Sequence, residues 1–481
     1  MRKLAISLAV VGALAGAAGA AVPWYVGMET EKYFYGQLNE SILGPDASVT
    51  LRMVQYDRGW LGATAVQRFA LKADPSVQFD IHHEINHIPD PHAGWVAVRS
   101  TPRWPKEVQA AADYYFGNQP ALTLDSVLSF EGQITTRVTS PGFSKPMLKS
   151  PDTKLTWGGA GGTLAFSDGA TVQIKLQAPN LAVNSPRGSV QVSNSVVDGN
   201  WVINGPGIDW HGDTSLSIGQ IAIGGPIGKG SVSAVRVAFS QRDQGQTVQV
   251  GYSVKIGKGE ASGAGQPGVA FSNAVFDLEL DKLDKKAIAK YVQDNNNAQA
   301  AKIGGQARQQ LALQLTMGLM TDLLKGSPVL RIKKLGVETP AGAVAGSATV
   351  SFDGKELGQP TMPMEWLQRV TFNGSAEVSR ALLKSMMQSK MQSQAAMMLS
   401  QNGTAADPAQ LQQLVDKALE DQFKAWAAAG LVQDKGDKLL IQADFSKGKL
   451  LVNGQPGDHL LPPMLAPQPQ PAVLKAPGDE A

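Results

Sequence analysis

Five consecutive residues, His83-Glu84-Ile85-Asn86-His87, match the H-E-x-x-H spacing by which a helix offers two imidazoles to a zinc ion, with a carboxylate beside the bound water. His82 and His92 flank them. The chemistry needs a helix, because only there do residues i and i+4 lie one turn apart on one face. The surrounding sequence instead places Val77, Phe79, Ile81, His83, Ile85 and His87 at every second position, with Pro89 and Pro91 just after. Period two marks a strand, and the prolines would cut a helix short. In a strand the two imidazoles stand roughly 13 Å apart at ~3.3 Å per residue. That is too far to share one zinc at ~2 Å from each. A zinc hydrolase using His83, Glu84 and His87 is therefore the most distant functional reading.

Other chemical signals fail sooner. Residues Gly224 to Ser231 imitate a phosphate loop, but the first glycine is misplaced and Lys229 is followed by Gly instead of Ser or Thr. A turn between strands accounts for them better. His211, near Asp209 and Asp213, reads as a loop residue, and no G-x-S-x-G nucleophile elbow occurs. Met386, Met387, Met391, Met397 and Met398 could form a pliable contact surface, although helix packing is the plainer account. Tyr56-Asp57-Arg58-Gly59-Trp60 reads as a turn that could bind something or simply stack its arginine on an aromatic. No catalytic, cofactor-binding or metal-ligating residue is assigned, and the chain is read as non-catalytic.

Such residues need elements to hold them. The 481-residue chain is 43% hydrophobic and 17% charged, with 51 Gly, no Cys and a net charge of +2. This mix favours strands and turns, excludes disulfides and thiolate sites, and gives no electrostatic footprint for nucleic acid. Arg2 and Lys3 precede an uncharged run from Leu4 to Val22, closed by Pro23 and Trp24. The run approaches the ~20 residues that span a bilayer, and the leading charges keep its start cytoplasmic. Ala18-Gly19-Ala20 equally suits a cleaved signal peptide, so anchor and cleavage both stand while export holds either way. A short helix is expected within residues 25–43. Alternating strands mark residues 155–280, for example Val248, Val250, Tyr252, Val254 and Ile256. Helices are expected at Arg308–Lys325 and Glu377–Leu399, and from Asp407 as N-cap with Pro408 at N1. A hairpin spans residues 439–452. The expected division is an N-terminal segment 1–24, a β-rich region 25–280, a mixed region 281–455 and a Pro-containing disordered tail 456–481.

The order of these elements resembles the YdgA-like family of bacterial envelope proteins, a domain-of-unknown-function family. The carriers are Pro23-Trp24-Tyr25-Val26-Gly27 after the apolar run, Tyr56-Asp57-Arg58-Gly59-Trp60, and Ile85-Asn86-His87 before a Pro-containing loop. Residues Leu323 to Leu330 and the hairpin Asp444 to Gly454 complete them. The resemblance implies an uncleaved single-pass inner-membrane anchor with a periplasmic body, and it offers no active site. The expected fold is α+β and mostly antiparallel β: long curved sheets with a few amphipathic helices, after one N-terminal transmembrane helix. The expected function is a membrane-anchored periplasmic envelope protein that binds lipid or another apolar ligand in a β-sheet groove. The alternative is an envelope scaffold or assembly factor acting through protein contacts.

Overall fold

The computed structural model describes residues 21–36, 49–71, 77–90, 94–167, 170–203, 210–263, 266–300, 305–355, 363–388 and 408–460. The apolar run up to residue 20, His92, Asp209, Met391, Met397, Met398, Asp407 and the tail from 461 lie outside these. Among the described residues no helix is long and apolar enough to cross a membrane. The fold is mostly antiparallel β with a minority of helices. It divides into two compact units, one ending at Asp277 but taking in Asp281–Leu323, the other made of Leu278–Leu280 and the chain from Leu324.

The first unit opens with helix α1 (Ala21–Gly36), which runs through Pro23 and Trp24. Pro23, Val26, Gly27, Thr30 and Phe34 are its buried stripe, at helical spacing. Strands β1 (Val49–Arg58), β2 (Gly62–Leu71), β3 (Gln78–Asn86) and β4 (Val96–Arg103) then pair antiparallel in chain order. After helix α2 (Lys106–Phe116), β5 (Thr123–Leu128) joins β4 and β6 (Ile134–Ser140) joins β5. The hairpin of β7 (Phe143–Met147) and β8 (Ser150–Trp157) steps aside, and β9 (Ala160–Ser167) returns to β6. β10 (Thr171–Ser185) pairs with β9 through its first half and with β8 near its end. β11 (Gly188–Ile203), β12 (Trp210–Gly225), β13 (Gly228–Gln244) and β14 (Thr247–Gly263) extend the meander. β15 (Gln266–Asp284) follows, then helices α3 (Lys285–Ala300) and α4 (Gly305–Lys325). Helix α3 carried no strong apolar stripe and went unpredicted.

One transverse line crosses the long strands. Pro179, Asn194, Gly219, Ala234 and Gly257 fall opposite one another by register. Asn194 and Ala234 have φ of 53° and 52°, and Asn273 on β15 has 50°. Backbone in this left-handed region re-aims side chains as a bulge does. A Cβ on Gly219 would lie 2.9 Å from the Asn194 Cβ, and one on Gly257 2.8 Å from the Ala234 Cβ. Alternate strands therefore supply the left-handed residue and the strands between supply glycine. The apolar positions change phase at this line, from Leu176 to Leu181 on β10, Val197 to Val192 on β11 and Ile218 to Ile221 on β12.

In the second unit β16 (Val329–Thr339), β17 (Gly342–Phe352) and, after helix α5 (Pro363–Arg369), β18 (Val370–Ser379) form a meander. Residues 377–379 are strand, not helix as expected: Val370, Phe372, Ala376 and Val378 alternate, and Glu377 sits opposite Leu440. Helix α6 is confined to 380–388 in the described residues. Helix α7 (Pro408–Ala428) buries Val415, Leu419 and Phe423 on one stripe and stops before Gly430, whose φ is 70°. β19 (Gln433–Asp434) and β20 (Lys438–Ser446) follow, and β20 returns to pair with β18. β21 (Lys449–Val452) closes on β20 across Lys447-Gly448, both at positive φ as a type I′ turn demands. Asn453-Gly454 repeats the device into β22 (Gln455–Pro456), and a 3-10 turn covers Asp458–Leu460. Of the methionines, Met387 packs against the core of Phe423, Val432 and Leu439, whereas Met386 is 67% exposed.

Phe423 is fully buried at the centre of that core. Phe423→Ala should lower the unfolding free energy of the second unit by about 3–5 kcal/mol. Met386→Ala should change it by less than ~0.5 kcal/mol in the same urea titration.

Candidate functional site

Register in the first unit sorts side chains into transverse rows. One row runs Glu84, Arg99, Asp125, Arg137, Thr163, Lys175 and Asp198 from β3 to β11. It is polar throughout, and neighbours pair across strands: Arg99 Nε donates to Asp125 Oδ1 at 2.8 Å. The rows on either side point to the opposite face. The first holds Leu124, Val138, Gly162, Leu176, Val197, Leu216, Val237 and Val254, on β5, β6 and β9–β14. The second includes Val98, Leu164, Ile174, Phe239 and Tyr252. One face is therefore polar and charged, the other mainly aliphatic and aromatic, with Ser126, Thr136 and Thr214 in its second row.

The apolar face is only partly covered. None of the first-row side chains from Leu124 to Val254 is buried. Leu216 is 36% exposed, Phe239 38% and Tyr252 40%. Trp201 stacks on Phe239 with centroids 5.9 Å apart, one ring supporting the other instead of a covering layer. Of the hydrophobic side chains on β10–β14, only Ala182 and Val248 are buried.

At its start the same face is closed by α1, and there the three short motifs converge. Val26, Phe34, Met53, Ala63, Ala65, Ile85 and Val96 make a dry cluster. Into it project buried Thr30, Gln67, His83, His87 and Ser100. Thr30 Oγ1 donates to the Val26 carbonyl at 2.7 Å. Gly27 meets His87 so closely that a Cβ would stand 2.6 Å from Nδ1. Gly59 N–H donates to the Gly62 carbonyl at 2.8 Å to make the turn of the second motif, and the His87 N–H donates to Leu61 O at 2.9 Å. Arg58 Nη1 donates to Glu31 Oε2 on the helix at 2.9 Å. Phe34 sits edge-on to His83 at 5.2 Å.

This cluster is rich in unpartnered polar atoms. Tyr56 Oη, Gln67 Nε2, His83 Nε2, both ring nitrogens of His87 and Trp95 Nε1 are buried with no hydrogen-bond partner among the described residues. Burial pushes the His83 imidazole down to about 4, with a smaller contribution from His82. Burial likewise lowers His87, helped by the Arg58 charge, and raises the Tyr56 phenol. His83 Nδ1 lies 2.8 Å from Ser100 Oγ, the separation of a nucleophile and its base. Two facts argue against catalysis. Ser100 and His83 are 5% and 7% exposed, and so weak a base could not activate the hydroxyl near neutral pH.

The H-E-x-x-H residues lie on and just past strand β3. His83 and His87 point inward and are buried, while Glu84 points to the polar face and is exposed. They cannot assemble a zinc-protease centre. Among the described residues no group of three or more His, Asp or Glu could hold a metal. The phosphate-loop imitation is the β12–β13 turn, and His211 lies on β12 opposite Val202. Gln67, Ser100, Thr30 and the apolar rows were not singled out in advance. The strand alternation was the available signal for the rows.

Two predictions follow from the α1 cluster. The folded His83 pKa lies below its unfolded value of 6.5, so its contribution to stability is whole above pH 6.5 and is lost as pH falls toward 4. The loss should be on the order of 3 kcal/mol. Urea unfolding at pH 7.5 and 4.5 should show it, and His83→Gln should flatten that slope. An unchanged slope would remove His83 as its source. Gly27→Ala should cost ~1–3 kcal/mol by crowding the imidazole. His87→Ala in that background should recover part of the loss in a thermal melt.

A comparison with curated proteins finds no match, and no solved structure matches either. The family model for a bacterial protein of unknown function, DUF945, matches residues 1–458. With nearly its whole length matched, the chain belongs to the DUF945 family of bacterial proteins.

Proposed function

We propose that this chain is a YdgA-like, non-catalytic envelope protein, anchored in the inner membrane by its N-terminal run with its body in the periplasm, and that it holds lipid acyl chains against the apolar face of its first unit. The observation that carries the reading is the aliphatic row from Leu124 to Val254, interrupted only by Gly162 and with no buried member. Eight strands at ~4.8 Å spacing make it about 34 Å long. That is comparable to the ~30 Å hydrocarbon thickness of a bilayer. Sheets this wide twist and curl, which would turn such a face into a trough. Exposed apolar patches of this extent on soluble domains mark interaction surfaces. The charged rows lie on the opposite face, and the polar side chains on this one partner one another: Ser126 with Thr136, and Trp201 Nε1 donating to Thr214 Oγ1. The leading Arg2 and Lys3 and the apolar run to Val22 support the location.

The test is native mass spectrometry with lipid extraction on the full chain, purified from bacterial membranes in a mild detergent. Phospholipid should co-purify at fixed stoichiometry. Leu216→Glu with Phe239→Glu should reduce it about tenfold or more, since each buries a charge against acyl chains. Lys175→Glu, on the polar face, should leave it unchanged. A lipid-free wild-type chain would overturn the reading and favour a scaffold acting through protein contacts.

A further inference from the structure

The pairing of β8 with β10 sets Lys154 opposite Asn184, so the β7–β8 turn lies along the same sheet edge as the β10–β11 turn. Gly188 of β11 reaches Gly224 of β12, which adds the β12–β13 turn, and Gly228 pairs with Gly263 at the start of the next. Three hairpin ends and the end of β14 at Gly263 thus line one edge of the first unit. Pro186 and Pro226 with their flanking Ser and Gly are ordinary turn residues; what is unusual is the aliphatic side chains the tips hold out to solvent. The β12–β13 turn is Pro226-Ile227, and Ile227 is 88% exposed. Leu148 at the β7–β8 turn is 51% exposed, Ile223 57% and Val269 66%. The phase change at the Asn194–Ala234 line carries the apolar positions Val190, Val192, Ile221 and Ile223 toward this edge.

Charge at the edge has one predominant sign. Lys149, Lys154, Arg187 and Lys229 lie in or near these turns, against Asp152 and Glu260. Glu260 accepts from Ser231 Oγ at 3.3 Å. Exposed aliphatic tips ringed by cations suit a boundary where apolar side chains enter the acyl region and cations meet phosphates.

We propose that this edge of hairpin tips docks on an anionic lipid surface, with Ile227 and Leu148 inserting and Lys149, Arg187 and Lys229 contacting headgroups. The inference stands on the tips themselves. A chain that extracts free of lipid would overturn the acyl-holding reading and leave this one intact.

The sequence contains no cysteine, so single labels can be placed cleanly. Ile227→Cys and, as control, Gln173→Cys on an exposed site of β10 would each carry an environment-sensitive NBD fluorophore on the full chain. With phosphatidylglycerol–phosphatidylcholine vesicles, the tip label should brighten several-fold and shift to the blue, while the control stays unchanged. Because the readout is local, insertion of the N-terminal run does not register. Lys149→Glu with Lys229→Glu should weaken the tip response by about 30-fold or more in vesicle concentration. No change at the tip with any vesicle would overturn the proposal. So would a tip response that grows with protein concentration alone, which would make a second copy the partner. An equal response to pure phosphatidylcholine would overturn the role of charge.

Discussion

Everything in the first unit depends on one constraint: side chains alternate with a period of two, so a long meander keeps a single apolar face only if every strand holds the same register. A slip of one residue in β11 would move Val197 to the side of Lys175 and break both rows at once. The turns meet this constraint by their lengths, and the cross-strand ion pairs reinforce it: Arg99 with Asp125, and Arg68 with Asp80 through two hydrogen bonds. Such exposed pairs add little stability singly. Their effect is on choice between registers, because a slip would set like charges or apolar groups against them. The line from Asn194 to Gly257 obeys the same constraint from the other direction. A bulge in one strand alone would shear the ladder. Here left-handed residues on alternate strands face glycine on the strands between at one level, so the phase changes on neighbouring strands together and the pairing stays intact.

Much of this was legible in the sequence. Alternation from Val172 to Ile256 announced the strands, and Lys447-Gly448 announced its hairpin. Alternation from Val77 to His87, with Pro89 and Pro91 after it, made a helical zinc site the most distant reading. What was not legible has physical causes. Residues 377–379 carry helix-tolerant side chains, but pairing of Glu377 and Val378 with β20 outweighs local preference. Helix α3 is polar along most of its length, so no stripe betrayed it. The αL line is invisible to composition, because Asn194 and Ala234 look like ordinary strand residues until the register shows glycine opposite each. Convergence of the three short motifs on His87 was unreadable for a similar reason. It rests on Gly27 lacking a Cβ, a fact about contact and not about type.

The buried polar groups under α1 serve docking better than chemistry. A helix placed over a sheet by aliphatic contacts alone can slide, whereas one whose glycine fits an imidazole and whose Glu31 meets Arg58 has one seat. Polar groups used this way cost stability where they lack partners, about 1–3 kcal/mol each. The cost is tolerable beside Ile85, Val96 and Phe34, which supply dry burial around them.

A wide sheet with one apolar face ordinarily acquires a second layer. Here α1 supplies one only over the first strands, and the remaining face stays half exposed out to Tyr252. Three occupants could complete it: a protein partner, a second copy, or acyl chains. Protein interfaces concentrate Tyr, Trp, Met and Arg at their centres and set hydrogen bonds at intervals of ~100–200 Å². The row from Leu124 to Val254 has none of these residues and no side-chain donor or acceptor across its eight strands. The adjoining row offers aromatic rings at Phe239 and Tyr252 but keeps Gly199 between Ile174 and Thr214. Its aliphatic character, the scarcity of hydrogen-bonding groups along it and its length are what favour a flexible hydrocarbon chain in the function we propose.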